Sequence, residues 1–305
     1  MNKRKIVSGS IACVLSLGTL LGGVSAAAAP YSEPQTAAVE SAVARRYLSL
    51  SSVKDKSIHS YAKSAVYVSG KRISASGINI NGTDYIPLKA AANAIGATYS
   101  YNSTSRTAVM RIGTLTLSAT NGNYVIYASD RALFALSPAI VMSDGEMYIP
   151  ASTFAKATGL SLSSGRNISF SGEVKPLAHA SRFYREDEVL WLARIIHAES
   201  AGEPLLGMIA VGNVVLNRVA SKDYPNTIYS VIFDRKYGVQ FSPILNGSIY
   251  NTPSYNSVLA AKICLEGFDV SGGALFFLRP DISTSSWIPN TREYSFTVGK
   301  HDFYK

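Results

Sequence analysis

The stretch Arg194-Ile-Ile-His-Ala-Glu-Ser-Ala-Gly-Glu-Pro204 holds the residues best spaced for chemistry. Apolar residues run into it at helical spacing, as Val189, Leu192, Ala193 and Ile196. On a helix Glu199 shares a face with Leu192, Ile195 and Ile196, the residues seven, four and three places back. Its carboxyl group then leaves from the edge of an apolar face, near the helix end. A carboxyl half out of water is harder to ionise, so its pKa rises. A raised pKa keeps the proton on near neutral pH, as a general acid requires. The same spacing fits a structural carboxylate at a helix end, and spacing does not separate the two readings.

Glu203 lies four residues on, but Gly202 and Pro204 predict that the helix does not run through it. Pro204 suits the first turn of a new helix, where a missing N–H costs nothing. Glu203 is therefore expected to cap that helix, because negative charge is favoured at an N-terminus. His197 falls on the far side of the first helix from Glu199 and is expected to be packed or hydrogen-bonded in place. No His-Glu-x-x-His pattern and no Cys–His cluster occur, so neither a metal nor a cofactor is expected.

The elements that must position these residues follow from the chain as a whole. Its 305 residues suffice for a leader and two modest domains. Lys3-Arg4-Lys5, an apolar run from Ile6 to Val24 and the small residues Ser25 to Ala29 read as a signal peptide over 1–29. An uncleaved anchor fits the length, but the Gly, Ser and Ala content favours cleavage. No later stretch is apolar enough to cross a bilayer, so no stable membrane insertion is expected after cleavage. Of the two cysteines, Cys13 lies in the leader and Cys264 is expected to be a small buried apolar residue. Without an internal disulfide, stability must come from apolar cores.

The formal charge is +9, and loss of Lys3, Arg4 and Lys5 leaves +6. A cationic secreted chain is drawn to an anionic matrix such as a bacterial wall. No dense Lys/Arg run or aromatic–basic alternation supports nucleic acid as partner.

Residues 30–64 read as a linker with a short helix around Ala37 to Leu48. Residues 65–172 carry an internal repeat. Tyr85-Ile-Pro-Leu-Lys-Ala-Ala-Ala-Asn-Ala-Ile-Gly96 returns as Tyr148-Ile-Pro-Ala-Ser-Thr-Phe-Ala-Lys-Ala-Thr-Gly159. Asn81-Gly82 and Asp144-Gly145 precede the copies as hairpin turns. Each copy predicts turn, strand, Pro-started helix, Gly cap and strand. Further strands are expected at Ala108 to Ile112, Thr114 to Ser118 and Tyr124 to Ala128. The module resembles the stalk domain named after the N-terminal domain of copper amine oxidases. All four histidines (His59, His179, His197 and His301) lie outside the repeat, so no imidazole copper site is expected inside it. Spacer and wall-contact roles both fit it.

Residues 173–182 read as a second linker and 183–305 as a terminal domain. Pro204 to Ala220 is apolar nearly all round, the pattern of a helix at the centre of its domain. Asn213 and Asn217 fit either a polar cleft beside Glu199 or satisfied core amides. A short helix is expected at Ile228 to Phe233. The irregular stretch 234–253 offers Gln240, Phe241, Ser242 and Tyr250, whose hydrogen bonds and aromatic faces suit sugar rings; packing of Phe241 fits as well. Another helix is expected at Ser254 to Glu266, a strand at Gly273 to Leu278 and extended chain at Glu293 to Tyr304. Trp287, read in a polar loop, is the last candidate sugar contact, with a core role as the alternative.

In the order of the chain, Leu192 to Pro204, Ala210 to Val219, Tyr224 to Ile228, Gly238 to Ser242, Gly273 to Phe277 and Gly299 to Tyr304 resemble the SleB-type cell-wall hydrolases, the spore cortex-lytic enzyme family. The resemblance implies an α+β architecture: a lysozyme-like, mainly helical catalytic domain behind the small α+β stalk. It places the family's catalytic glutamate at Glu199 and implies peptidoglycan glycan strands as substrate. One motif carboxylate rather than the usual pair points to a lytic transglycosylase with a single acid/base, or, if another acid joins in and activates water, to a hydrolase. A non-catalytic wall-binding protein is the competing class. The stalk repeat stands where such enzymes often carry a peptidoglycan-binding domain, which leaves cortex and vegetative wall both open as targets.

Overall fold

The structure, a computed structural model, describes residues 61–141, 145–236, 238–283 and 286–305. The expected signal peptide, the helix around Ala37 to Leu48 and Asp144 of the second turn lie outside these residues. The chain divides into two compact units at Tyr184 and Arg185. Both mix helices and sheets, so the architecture is α+β.

In the first unit the two repeat copies pair with each other. Strands Thr83–Pro87 and Met147–Pro150 run antiparallel, with Tyr85 opposite Pro150, Ile86 opposite Ile149 and Pro87 opposite Tyr148. Each copy thus completes the other's sheet, which is why the motif is needed twice. Helices α1 (Leu88–Ala94) and α2 (Ala151–Thr158) follow directly, with Pro87 and Pro150 as their N-caps. Gly159 closes α2 in the left-handed region at φ 73°, where a β-carbon would also meet the backbone of Lys175. This central sheet is flanked by Gly77–Ile80 and Ala62–Ser64 on one side and Ile140–Val141 on the other.

A five-stranded antiparallel meander runs from Thr98–Asn102 through Thr107–Ile112, Leu115–Thr120 and Val125–Ala128 to Arg131–Phe134. The expected strands fall within it to a residue or two, and Arg131–Phe134 is additional. A third sheet holds Ser161–Ser164, Ile168–Ser171, Val66–Val68 and Lys71–Arg72. Ile86, Leu88, Met110, Leu117, Ile149, Phe154 and Phe170 meet in the core between these layers.

The described end of the first segment read as a linker, residues 61–64, and the second segment both extend this unit. Ala62–Ser64 is an edge strand paired with Gly77–Ile80, because its backbone supplies the ladder that the sheet edge lacks. Residues 173–184 strap back over the module. Lys175 and Leu177 donate to the carbonyls of Thr158 and Ala157 at the end of α2, and Ala180 donates to Ser129. A short helix α3 (Ala180–Phe183) follows, and the Arg131 guanidinium lies 3.3 Å from the centre of the Phe183 ring. Phe183 therefore belongs with the repeat unit rather than with the terminal domain, held by a cation–π contact that spacing along the chain does not reveal.

The second unit begins at α4 (Glu186–Ser200), whose first turn carries Glu186, Asp187 and Glu188 at its positive end. Ala201 to Pro204 reverse the chain into α5 (Leu205–Ala220), with Pro204 as N-cap. Helix α5 is buried almost throughout and packs against α4, α6 (Ile228–Ile232) and α7 (Tyr255–Leu265). Gly212 allows the closest approach: a β-carbon there would lie 2.7 Å from Cys264 Sγ and 2.8 Å from Ile196 Cδ1. Cys264 is buried as a small core side chain. After α7 a three-stranded antiparallel sheet forms, in the order Phe276–Leu278, His301–Tyr304, Tyr294–Val298. Trp287 opens the short helix α8 (Trp287–Thr291) rather than sitting in a loop. Among the described residues no helix is long and apolar enough to cross a membrane.

Candidate active site

Glu199 is the penultimate residue of α4. Leu192, Ile195 and Ile196 beneath it are wholly buried, and Ser200 turns inward to donate to the Ile196 carbonyl at 2.7 Å. Glu199 itself stays partly exposed at the edge of this face. Loss of water around its carboxyl raises the pKa to about 7, against the pull of the Arg218 guanidinium, which lowers it. The group is thus poised to hold its proton or release it near neutral pH, as acid–base chemistry requires.

Arg218 comes from the last turn of α5 and is nearly wholly buried. Its Nε donates to the Leu275 carbonyl at 2.8 Å, and the guanidinium lies 5.1 Å from the ring centres of Tyr224 and Phe241 and 5.6 Å from that of Phe276. Its Nη1 has no hydrogen-bond partner. Such an unmet buried donor costs roughly 1–3 kcal/mol, more when charged. Burial lowers the guanidinium pKa, and Tyr224, Asp234 and Glu199 oppose that shift.

Glu203 does more than cap. Its side chain is 5% exposed, and its Oε2 accepts from the Lys300 N–H at 2.8 Å. The His301 Nδ1 lies 3.7 Å from Oε1 and has no hydrogen-bond partner. Burial lowers the His301 pKa, opposed by Glu203. Gly299, at φ 60°, faces Glu203 so closely that any β-carbon would fall on Oε2. The second acid of the motif is therefore committed to the turn between the last two strands.

His197 sits opposite α7, where the Ser254 N–H points at Nδ1 from 3.4 Å and the Ser257 hydroxyl lies at 3.5 Å. Asn213 and Asn217 are core amides rather than cleft residues. Asn213 bridges the Phe268 carbonyl and the Val270 N–H, and Asn217 donates to Ser271 Oγ and the Ala274 carbonyl. They hold the chain that leads into Phe276–Leu278, because a buried amide needs partners that α5 itself does not supply.

The expected sugar contacts separate into two kinds. Phe241 is 2% exposed, covered by Arg218 and by Phe277 at 6.4 Å, so its ring is a packing element and offers no sugar face. Ser242 is exposed at the head of a 3-10 turn, and Gln240 is partly exposed and donates to the Gly238 carbonyl. Tyr250 is 59% exposed and Trp287 49%. The Trp287 ring also packs on Phe276 and under Arg292.

Two side chains escaped the sequence reading. Trp191, on α4 with Glu199, packs edge-on against Tyr229, Phe233 and Tyr250 at 5.1, 5.3 and 6.3 Å. Its place eight residues before Glu199 was the available signal. Arg218 lies inside a segment that carries the family resemblance, but nothing in its spacing tells that three distant aromatic residues close around it. Among the described residues no group of three or more His, Cys, Asp or Glu side chains is arranged to hold a metal.

Comparison with known proteins bears on this geometry. Residues 202–304 match the model of the Cell Wall Hydrolase family, beginning three residues past Glu199, and residues 67–167 match the Copper amine oxidase N-terminal domain. A cell wall hydrolase, CwlJ of Oceanobacillus iheyensis, is 30% identical over 34% of this chain and 77% of its own length. The chain belongs to the cell wall hydrolase family. Within that family, the spore cortex-lytic enzyme of Bacillus cereus is 34% identical over 52% of this chain. The chain spans 63% of that enzyme's length. The solved catalytic domain of the germination-specific lytic transglycosylase SleB from Bacillus anthracis is 39% identical, covering 40% of this chain and 97% of that domain, with a TM-score of 0.37. Glu199, Arg218 and Glu203 all lie in the second unit, and the match to the copper amine oxidase N-terminal domain lies in the first.

Proposed function

We propose that the chain is a secreted peptidoglycan-cleaving lytic transglycosylase that acts on spore cortex or vegetative wall, with Glu199 as its single acid/base. The observation that carries this reading is the partly exposed Glu199 carboxyl at the apolar end of α4, with a pKa near 7. Ordinary glycosidases use two carboxylates. The other acid of the motif, Glu203, is buried and engaged with the Lys300 N–H, which favours a one-carboxylate mechanism.

In that mechanism Glu199 protonates the oxygen between N-acetylmuramic acid and N-acetylglucosamine. The C1–O bond breaks and the leaving sugar departs as an alcohol. The C6 hydroxyl of the same muramic acid then attacks C1, and the Glu199 carboxylate takes its proton, so the enzyme returns to its starting state. An intramolecular nucleophile needs no positioned water and has a high effective concentration. The product is a 1,6-anhydromuramoyl end. Tyr250, Trp287, Gln240 and Ser242 are the exposed or partly exposed contacts offered to the glycan. The names of the curated relatives support cortex as a substrate, and the residues at 1–29 support secretion.

Mass spectrometry of digested cortex and vegetative peptidoglycan tests the reading. Anhydro ends are expected from the natural protein and none from Glu199→Gln. Reducing ends would indicate hydrolysis instead, and full activity of Glu199→Gln would remove the acid/base role. Binding without released fragments would favour a wall-binding protein.

A further inference from the structure

Exposed aromatic residues are ordinary one at a time, but in the second unit several gather around a single ring. Trp191, half-buried on α4, meets Tyr229 at 5.1 Å, Phe233 at 5.3 Å and Tyr250 at 6.3 Å, each nearly at right angles. Tyr229 and Phe233 also pack on each other at 4.6 Å. Tyr229 and Tyr250 come from α6 and from the turn Ser248–Tyr250, and both elements pack on α4. Yet these two rings stay 52% and 59% exposed. Rings steadied by a shared partner but left in water add little to a core, because apolar surface stabilises only when it leaves water. A contiguous exposed patch of this kind marks a contact site.

The place of the patch in the fold points to what covers it. Trp191 and Glu199 lie eight residues apart on α4, about 12 Å along the axis and about 80° around it. Phe233 and Tyr250 stand at the two ends of the irregular stretch between them, and both lean on Trp191. The stretch is thereby closed at its base, as in the compact loops that often carry function. It bears Gln240 and Ser242, so the patch is continuous with the contacts already offered to the glycan. The Arg194 guanidinium lies 5.0 Å from the Trp191 ring centre and brings a charged donor to the same place.

We propose that Tyr229 and Tyr250, braced by Trp191, form a sugar-binding subsite that holds a ring of the glycan strand remote from the bond to be cut. The faces of a pyranose ring carry C–H groups, and its rim carries hydroxyl and acetamido groups. A tyrosine matches both, with an apolar face and a polar tip. Arg194 adds donors for the acetamido and carboxyl oxygens of the strand. Contact energy made there is distant from the chemistry, so it holds the strand in register with Glu199 and favours long strands over short ends.

The inference rests on the glycan-strand reading of the site, and its test separates the two. Soluble peptidoglycan fragments of graded length are titrated by calorimetry into the full chain carrying Glu199→Gln. Tyr229→Ala and Tyr250→Ala are then added to that background, with thermal melts as the check on folding. Each is expected to weaken long fragments roughly tenfold, the loss of one aromatic stacking contact. The shortest fragments, which fill only the place of the cut bond, are expected to bind unchanged. Tyr229→Phe and Tyr250→Phe keep the ring and should keep the affinity. Should an alanine variant fail to fold, leucine at the same position, which keeps bulk without an aromatic face, carries the same test. With Glu199 restored, the alanine variants should raise KM on long strands and leave kcat nearly unchanged. Unchanged binding of long fragments by folded variants overturns the subsite alone. So does an equal loss on short and long fragments, since the change would then have spread to the place of cutting. A dimer in sedimentation that Tyr229→Ala dissolves overturns it as well, because the patch would then join two copies of the chain. If no fragment of any length binds the Glu199→Gln chain, the glycan-strand reading falls and the subsite falls with it.

Discussion

Glu203 Oε2 accepts a 2.8 Å hydrogen bond from the backbone N–H of Lys300, 97 residues further along the chain. This bond ties the start of α5 to the turn between the last two strands. Gly299 makes the contact possible, since it takes a positive φ and leaves no atom in the way of the carboxylate.

Gly299→Ala is therefore expected to destabilise the hydrolase unit by about 2–4 kcal/mol, through a strained φ and displacement of Glu203. Glu203→Gln keeps an acceptor for Lys300 and should cost less than Glu203→Ala, which leaves that bond unmade, at about 1–3 kcal/mol. Thermal melts of the three variants give the order directly.

The raised pKa of Glu199 makes stability depend on pH with a definite sign. The folded state binds its proton more tightly than the unfolded chain does. Its contribution is fully present below the unfolded carboxyl pKa and is lost as pH rises through about 7. Glu199→Gln cannot ionise, so it should be more stable than the natural protein at pH 8, by on the order of 1–2 kcal/mol after solvent screening. The gap should close near pH 4. A pair of melting curves against pH is the measurement.

The same group sets the rate profile. If Glu199 is the acid, activity on peptidoglycan should fall as pH rises past about 7, because the fraction still protonated declines. Glu199→Asp, one methylene shorter, should keep the limb and lose rate by about 100-fold through misplacement.

Gly212 lets α5 approach α4 and α7. Gly212→Ala should cost about 1–3 kcal/mol by pressing on Cys264 and Ile196. Combined with Cys264→Ala, which clears one of those contacts, the penalty should be smaller than the sum of the two single costs. A double-mutant cycle by denaturant titration reads the coupling.

Tyr250 is largely exposed, so Tyr250→Ala should leave stability within about 0.5 kcal/mol of the natural protein. If it stacks on sugar, KM on soluble glycan fragments should rise several-fold with kcat nearly kept. Trp191→Ala should instead lower stability, because three aromatic neighbours lose their common partner. Steady-state kinetics beside melts separates these two roles.

The sequence by itself determined the local elements. Apolar spacing marked α4 and α5, and Gly202 with Pro204 marked the break between them. A repeated Tyr-Ile-Pro…Gly pattern marked both halves of the first unit, because helix periodicity, proline and glycine act through neighbours in the chain. The edge position of Glu199 was legible for the same reason.

What the tertiary structure decided is which distant groups meet. The repeat copies pair strand to strand, and residues 173–182 strap down onto the module instead of hanging free. Asn213 and Asn217 turn into the core, Phe241 lies under Arg218, and Glu203 reaches the turn at Lys300. A side chain's spacing says which face of its helix it occupies. Its partner across that face comes from a segment tens of residues away, and burial, charge and hydrogen bonding there are set only once the chain has closed on itself.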